Sequence, residues 1–129
     1  MHHNLGKDGS GGKHYNWVIP NYFDENEWEF SPKVSEDRPI VFMGRIIPAK
    51  GIAIMQTIIK ALPQRKFKFA GQGNFDQYFS EYNNVEFYGA LEGKERSKFL
   101  QGASAMLLPT LFIEPFGGAI VEAQFVGKI

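Results

Sequence analysis

Four short apolar runs, each closed by glycine or proline and each followed by a helix-like pattern, restrict this chain to very few folds. Pro39 to Gly44 is uninterrupted apolar sequence, the pattern of a strand buried on both faces of a parallel sheet. Beyond it Ile52, Met55, Ile59 and Leu62 recur at three and four positions, which predicts an amphipathic helix stopped by Pro63. Lys66 to Ala70 reads as a second strand. Its alternation gives it a more exposed place in the sheet, and it runs into Gly71-Gln72-Gly73. A short helix over Asn74 to Glu81 follows, then a third strand over Val85 to Tyr88 ending at Gly89. Gly93 to Gly102 is a third helix with Phe99 and Leu100 as its apolar contacts. Ala103 to Leu108 is a fourth strand, closed by Pro109-Thr110, and Phe116 to Val126 is the last helix. Strands and helices alternating in short units predict an α/β fold: a Rossmann-like parallel sheet with flanking helices.

In such sheets ligands bind beyond the carboxyl ends of the strands. The loops after the four strands are therefore expected to share one crevice: Arg45 to Gly51 with its two cations Arg45 and Lys50, Gly71 to Gly73, Gly89, and Thr110 to Gly118. The last loop is the richest. Glu114-Pro115-Phe116-Gly117-Gly118 leads into an apolar helical pattern with a second carboxylate at Glu122. Pro115 suits a first helical turn, and Gly117 and Gly118 leave backbone N–H groups bare. A helix start of that kind attracts phosphate. With helical geometry throughout, the two glutamates would lie about 12 Å apart on similar faces, a span that suits a nucleotide sugar. Taken singly, these features have ordinary readings: a dipole partner for Glu114, solvated surface cations for Arg45 and Lys50, a tight turn for Gly71 and Gly73, a core residue for Tyr88.

Composition narrows the chemistry. Of 129 residues 43% are hydrophobic and 12 are Phe, enough for the core of one modest domain. Lys plus Arg and Asp plus Glu both number 14, so no global field draws the chain to nucleic acid or a membrane surface. Cys is absent, and the three His (His2, His3 and His14) precede the predicted fold, so neither a metal centre nor a cofactor held by such ligands is expected. No apolar run reaches the roughly 18 residues of a membrane span and no apolar signal core begins the chain, so a cytoplasmic protein is expected. Residues 1–14 read as a flexible tail. Residues 15–38 read as a crossing segment and linker, with Trp17, Phe23, Trp28 and Phe30 laid on a surface. Residues 39–129 form the α/β unit.

Four segments together resemble the C-terminal, nucleotide-sugar-binding domain of retaining GT-B glycosyltransferases of the family-four, glycogen-synthase-like type (glycosyl transferases group 1). They are Val18-Ile19-Pro20-Asn21 with Asp24, Gly44-Arg45 with Lys50-Gly51, Ala70-Gly71-Gln72-Gly73, and Pro109-Thr110 with Glu114-Pro-Phe-Gly and Glu122-Ala123 as a Glu-x7-Glu motif. The resemblance implies roles. Arg45 and Lys50 hold the donor diphosphate and stabilise it as a leaving group. Glu114 binds the donor hexose, and the backbone amides of Phe116, Gly117 and Gly118 contact sugar or phosphate. Glu122 takes the ribose hydroxyls, Gly44, Gly71 and Gly73 allow close approach, and Tyr88 with Gly89 meets the base. It implies a nucleotide-diphosphate sugar as donor substrate, an acceptor of unspecified kind, and no metal.

The family domain usually continues through Gly-x-Pro-Val and further strands, whereas here Gly127-Lys128-Ile129 lacks the Pro. The chain is accordingly expected to be a fragment with about four strands, to bind donor without turning over alone, and to self-associate through the apolar edge of its fourth strand. Two other readings compete. One is a non-catalytic nucleotide-binding or interaction module that uses the aromatic surface and, as an interaction module, ignores nucleotides. The other is a GT-B-like epimerase or phosphorylase fragment.

Overall fold

The computed structural model describes residues 20–111, 113–114 and 116–128. The tail over residues 1–14, the apolar run with Trp17 up to Ile19, Pro115 and Ile129 lie outside the described residues. Eight elements follow in order: β1 (Ile40–Met43), α1 (Ile52–Ala61), β2 (Phe67–Ala70), α2 (Asp76–Phe79), β3 (Val85–Phe87), α3 (Lys94–Gln101), β4 (Ala105–Met106) and α4 (Gly118–Phe125). The strands form one parallel sheet in the order β3-β2-β1-β4. Its register places Ile40 of β1 opposite Phe67 of β2 on one side and Ala105 of β4 on the other.

The period-two alternation of β1 builds two cores, one on each face. Phe42 joins Phe67 and Phe69 of β2 beneath Ile52, Met55 and Ile59 of α1 and Phe79 of α2. Val41 and Met43 point the other way, to Ala70, Leu100 of α3, and Ala123 and Val126 at α4. Phe42, Phe67, Phe69 and Phe79 are essentially inaccessible, and burial of each contributes about 1.5–3 kcal/mol. Phe69 is the hub, with Phe79 edge-on at 4.9 Å and Phe42 at 5.4 Å. The buried residues of α1 fall at the three-and-four spacing read from the sequence, with Leu62 packed just beyond the helix.

One expectation is overturned. β2 does not take an exposed place: it lies between β1 and β3, and Phe67, Phe69 and Ala70 are 0% exposed. Its alternation has a different cause, since Lys68 is matched by Asp37 of the preceding segment at 2.9 Å. The edges belong to β3 and to β4, whose expected six residues reduce to two in the ladder.

Residues 20–38 run as a strap along α3 and α4. Trp28 packs into the second core, and Phe30 is largely exposed. The Ser31 N–H donates to Val126 O, the Ser35 N–H to Gly102 O, and Lys128 Nζ to Lys33 O at 2.6 Å. No helix among the described residues is long and apolar enough to cross a membrane.

Candidate functional site

The loops beyond the carboxyl ends of the strands are stitched to one another through their backbones. Past β1, the Gly44 N–H donates to Ala70 O and the Ile46 N–H to Gln72 O. Past β2, the Gly71 N–H donates to Gly89 O, which draws in the loop after β3. Past β4, the Leu111 N–H donates to Ala49 O, which fastens that loop to the turn before α1. Four loops thus make one rim around a cavity of about 520 Å³, within the range of small-molecule sites.

Gly44, Arg45, Lys50, Gly71, Glu114, Gly117 and Gly118 all line this cavity. Lys50 sits in a single 3-10 turn, Pro48–Lys50, with its side chain 12% exposed, and its Nζ donates to Glu114 Oε2 at 2.5 Å. Arg45 is exposed at the mouth and makes no ion pair with any described residue. Gly117 is the N-cap of α4 at φ 73, and Gly118 and Ala119 present the opening of the helix to the cavity. Because α4 begins at Gly118, Glu114 stands in the loop and not on the helix. It is held by its bond to Lys50.

The remaining sequence candidates lie elsewhere. Gly73 is drawn into a parallel bridge with Ile46, and Gly89 turns its carbonyl toward Gly71. Tyr88 lines a neighbouring hollow with Phe99 and Lys68, its hydroxyl donating to Glu86. From the loop after β3 it is Ala90, Leu91 and Glu92 that reach the cavity. Phe116 lies outside the cavity lining, half exposed and stacked on Phe23 at 5.7 Å.

Glu122 is 6% exposed, and Arg96 Nη2 donates to both of its carboxylate oxygens. Arg96 lines the cavity and Glu122 does not. Sequence reasoning passed over Arg96. Its signal was a cation in the first turn of a helix, where the dipole disfavours positive charge unless a partner offsets it. Gln72, also in the lining, stood in plain view between the two glycines.

Burial pushes the Glu122 carboxyl above its usual range, the charge and hydrogen bonds of Arg96 pull it back, and Glu27 adds a further push upward. A carboxyl raised in the folded state contributes fully below its ordinary value, and that contribution is lost as pH rises through the folded value. Arg96→Ala removes the downward pull and raises the folded value further. Its stability deficit is therefore greatest at neutral pH and shrinks as pH falls and Glu122 takes up its proton in both chains. With 35% of the Arg96 side chain in solvent, we expect about 1–2 kcal/mol at pH 7.5, short of the loss from breaking a fully buried pair. Urea unfolding of both chains at pH 7.5 and pH 5 reads the difference. A deficit that does not change with pH contradicts the pairing.

A four-stranded parallel sheet with helices on both faces and its crevice at the strand ends, beside a helix start, is a Rossmann-like α/β domain. The chain belongs to the glycosyl transferases group 1 family, whose profile matches residues 24–129. It is 30% identical over 101 residues to a 42.6 kDa protein in the cps region of Klebsiella pneumoniae, a match covering 74% of this chain and 26% of that protein. Among solved structures it is similar to AviGT4, a glycosyltransferase involved in avilamycin A biosynthesis, at 26% identity and TM-score 0.66, covering 86% of this chain and 37% of that one. It is similar also to Anabaena HepE in complex with UDP and glucose, at 26% identity and TM-score 0.65, covering 87% and 36%. The chain thus spans about a quarter of the curated relatives it matches and little more than a third of these structures.

Proposed function

We propose that this chain is the donor-binding portion of a retaining glycosyltransferase, taking a nucleotide-diphosphate hexose whose sugar passes to an acceptor in the intact enzyme. The observation that carries the reading is the meeting of Arg45, Lys50 and the start of α4 around one cavity. Each favours negative charge. The cations act as fixed counter-charges, and the first N–H groups of a helix lack partners within it. Negative charge develops on the diphosphate as the bond to the sugar breaks. Groups already aimed at that position stabilise it without reorganisation.

Glu114 has two tasks in this scheme. It holds Lys50 through one oxygen and offers the other to a hydroxyl of the hexose. Ala90 and Leu91 supply an apolar surface for the base, in the place expected of Tyr88 and Gly89. The UDP and glucose recorded with HepE make a uridine nucleotide the first ligand to try.

Calorimetric titration of the chain with UDP, GDP and ADP and their hexose conjugates tests the reading. One nucleoside diphosphate should bind, raise the unfolding temperature as a ligand of the native state does, and bind less well to Arg45→Ala. A folded chain that responds to none of them refutes the donor site and favours the interaction-module reading.

A further inference from the structure

The order of the strands sets the order of the loops along the cavity. In β3-β2-β1-β4, the cations Arg45 and Lys50 follow β1 and the start of α4 comes after β4, so both stand toward one end. Gln72 follows β2, and Ala90, Leu91 and Glu92 follow β3 at the other end. A diphosphate held by the cations and the helix start leaves its nucleoside to reach past β2 toward the β3 loop. The wall there is apolar at Ala90 and at Leu91, which packs into the second core, and it ends in the carboxylate of Glu92.

The backbone of Glu92 is fixed and its side chain is uncommitted. Its carbonyl accepts from the Glu95 N–H at 3.1 Å where α3 begins, and the loop is pinned upstream by the bond from Gly71 to Gly89. The side chain is exposed and makes no hydrogen bond or ion pair with any described residue. An ionised carboxylate only accepts, and it pairs best with two parallel donors. Guanine presents such an edge, with N1–H beside its 2-amino group. Uracil N3–H lies between two carbonyls, and the amino groups of adenine and cytosine each lie beside a ring nitrogen acceptor. Those three bases set a lone pair against the carboxylate. Gln72, also without a side-chain partner among the described residues, carries both a donor and an acceptor and suits any base edge. Discrimination therefore falls to Glu92.

We propose that Glu92 selects the base of the donor by accepting from N1–H and the 2-amino group of guanine, so that the ligand is a guanosine diphosphate sugar. The inference rests on the donor-site reading above and names its nucleotide. It ranks GDP above the uridine nucleotide recorded with HepE. A carboxylate beside the start of α3 also suits the helix dipole, but that role affects stability and leaves base preference alone.

Inosine diphosphate isolates the contact, because it keeps N1–H and lacks the 2-amino group. Inorganic pyrophosphate carries the charge and no base. Calorimetric titrations with GDP, inosine diphosphate, UDP, ADP and pyrophosphate would be run on the wild type, Glu92→Ala, Glu92→Gln and Arg45→Ala, with thermal unfolding recorded for each chain. The wild type should bind GDP about tenfold more tightly than inosine diphosphate, UDP or ADP. Glu92→Ala should bring GDP to within about twofold of inosine diphosphate and leave pyrophosphate unchanged. Glu92→Gln, which keeps the size and loses the charge and one accepting oxygen, should fall between.

A wild type that binds UDP or ADP as tightly as GDP overturns the proposal. So does a folded Glu92→Ala chain that keeps the preference for GDP over inosine diphosphate. An equal change for every ligand, pyrophosphate included, overturns it too, since Glu92 would then act only as a charge at the mouth. The donor-site reading fails separately, and takes this inference with it, where a folded wild type binds none of the five ligands. Arg45→Ala reports on that reading alone and should weaken all of them alike.

Discussion

Alanine at Gly71 is expected to cost at least about 3 kcal/mol, a large share of the 5–15 kcal/mol that holds a domain together. Gly71 sits at φ 144, where L-residues are strained, and an added Cβ would fall 1.8 Å from the Gly44 carbonyl oxygen and 2.7 Å from its carbon. Both atoms are backbone, so no rotamer relieves the overlap. The chain can yield only by parting β1 from β2 beyond Ala70, which breaks the bonds from Gly44 to Ala70 and from Gly71 to Gly89. Those bonds stitch three of the four loops together, so the cavity fails along with stability. Gly89→Ala is the control. It also has positive φ, 69, but its added Cβ meets nothing within 4 Å. The left-handed conformation alone should cost about 1–2 kcal/mol there. Urea midpoints for the two variants and wild type measure the contrast, and similar losses at both sites would contradict the close approach at Gly71.

The second large effect falls on ligand affinity. Lys50→Ala should weaken the diphosphate ligand about 10- to 100-fold, the range for removal of a part-buried charged hydrogen-bond donor. Arg45→Ala should weaken it less, about three- to tenfold, because Arg45 is exposed at the mouth and its interaction is screened by water and salt. Lys50 is the deeper cation at 12% side-chain exposure and is oriented by Glu114. Glu114→Gln should therefore act mainly by loosening Lys50, with a smaller loss than Lys50→Ala. Titrations at two salt concentrations would show the Arg45 contribution shrinking as salt rises and the Lys50 contribution persisting. An Arg45 effect larger than that of Lys50 would reverse the ranking and the depth assigned to each.

Local patterns in this chain were readable because local physics makes them. The three-and-four spacing of Ile52, Met55 and Ile59 became α1, and the unbroken run after Pro39 became the strand with a core on each face. Chain order alone brought the Arg45 loop, Gly71 and the Glu114 loop to one rim, since parallel strands all end on the same side. The features that escaped depend on pairings across long separations. Lys68 made β2 resemble an outer strand because its partner Asp37 lies in a segment with no strand or helix signal. The pairing of Glu122 with Arg96 was hidden because Arg96 becomes its neighbour only when α3 and α4 pack on the same face. Ala90 and Leu91 line the cavity, and Tyr88 the neighbouring hollow, where Gly89 turns the chain and gives its carbonyl to Gly71.

The strap over α3 and α4 bears on the order in which a growing chain can fold. The first core closes with residues from Phe42 to Phe79, all local along the chain, so it can consolidate early. The second core needs Trp28 at one end and Val126 at the other, and the Ser31 N–H has no Val126 carbonyl to meet until almost all of this stretch has been made. During synthesis the sheet therefore stands for a time with one face sealed and the other bare. Through that interval Val41, Met43 and Ala70 form an apolar surface open to any chaperone or neighbouring chain that reaches it before α4 does.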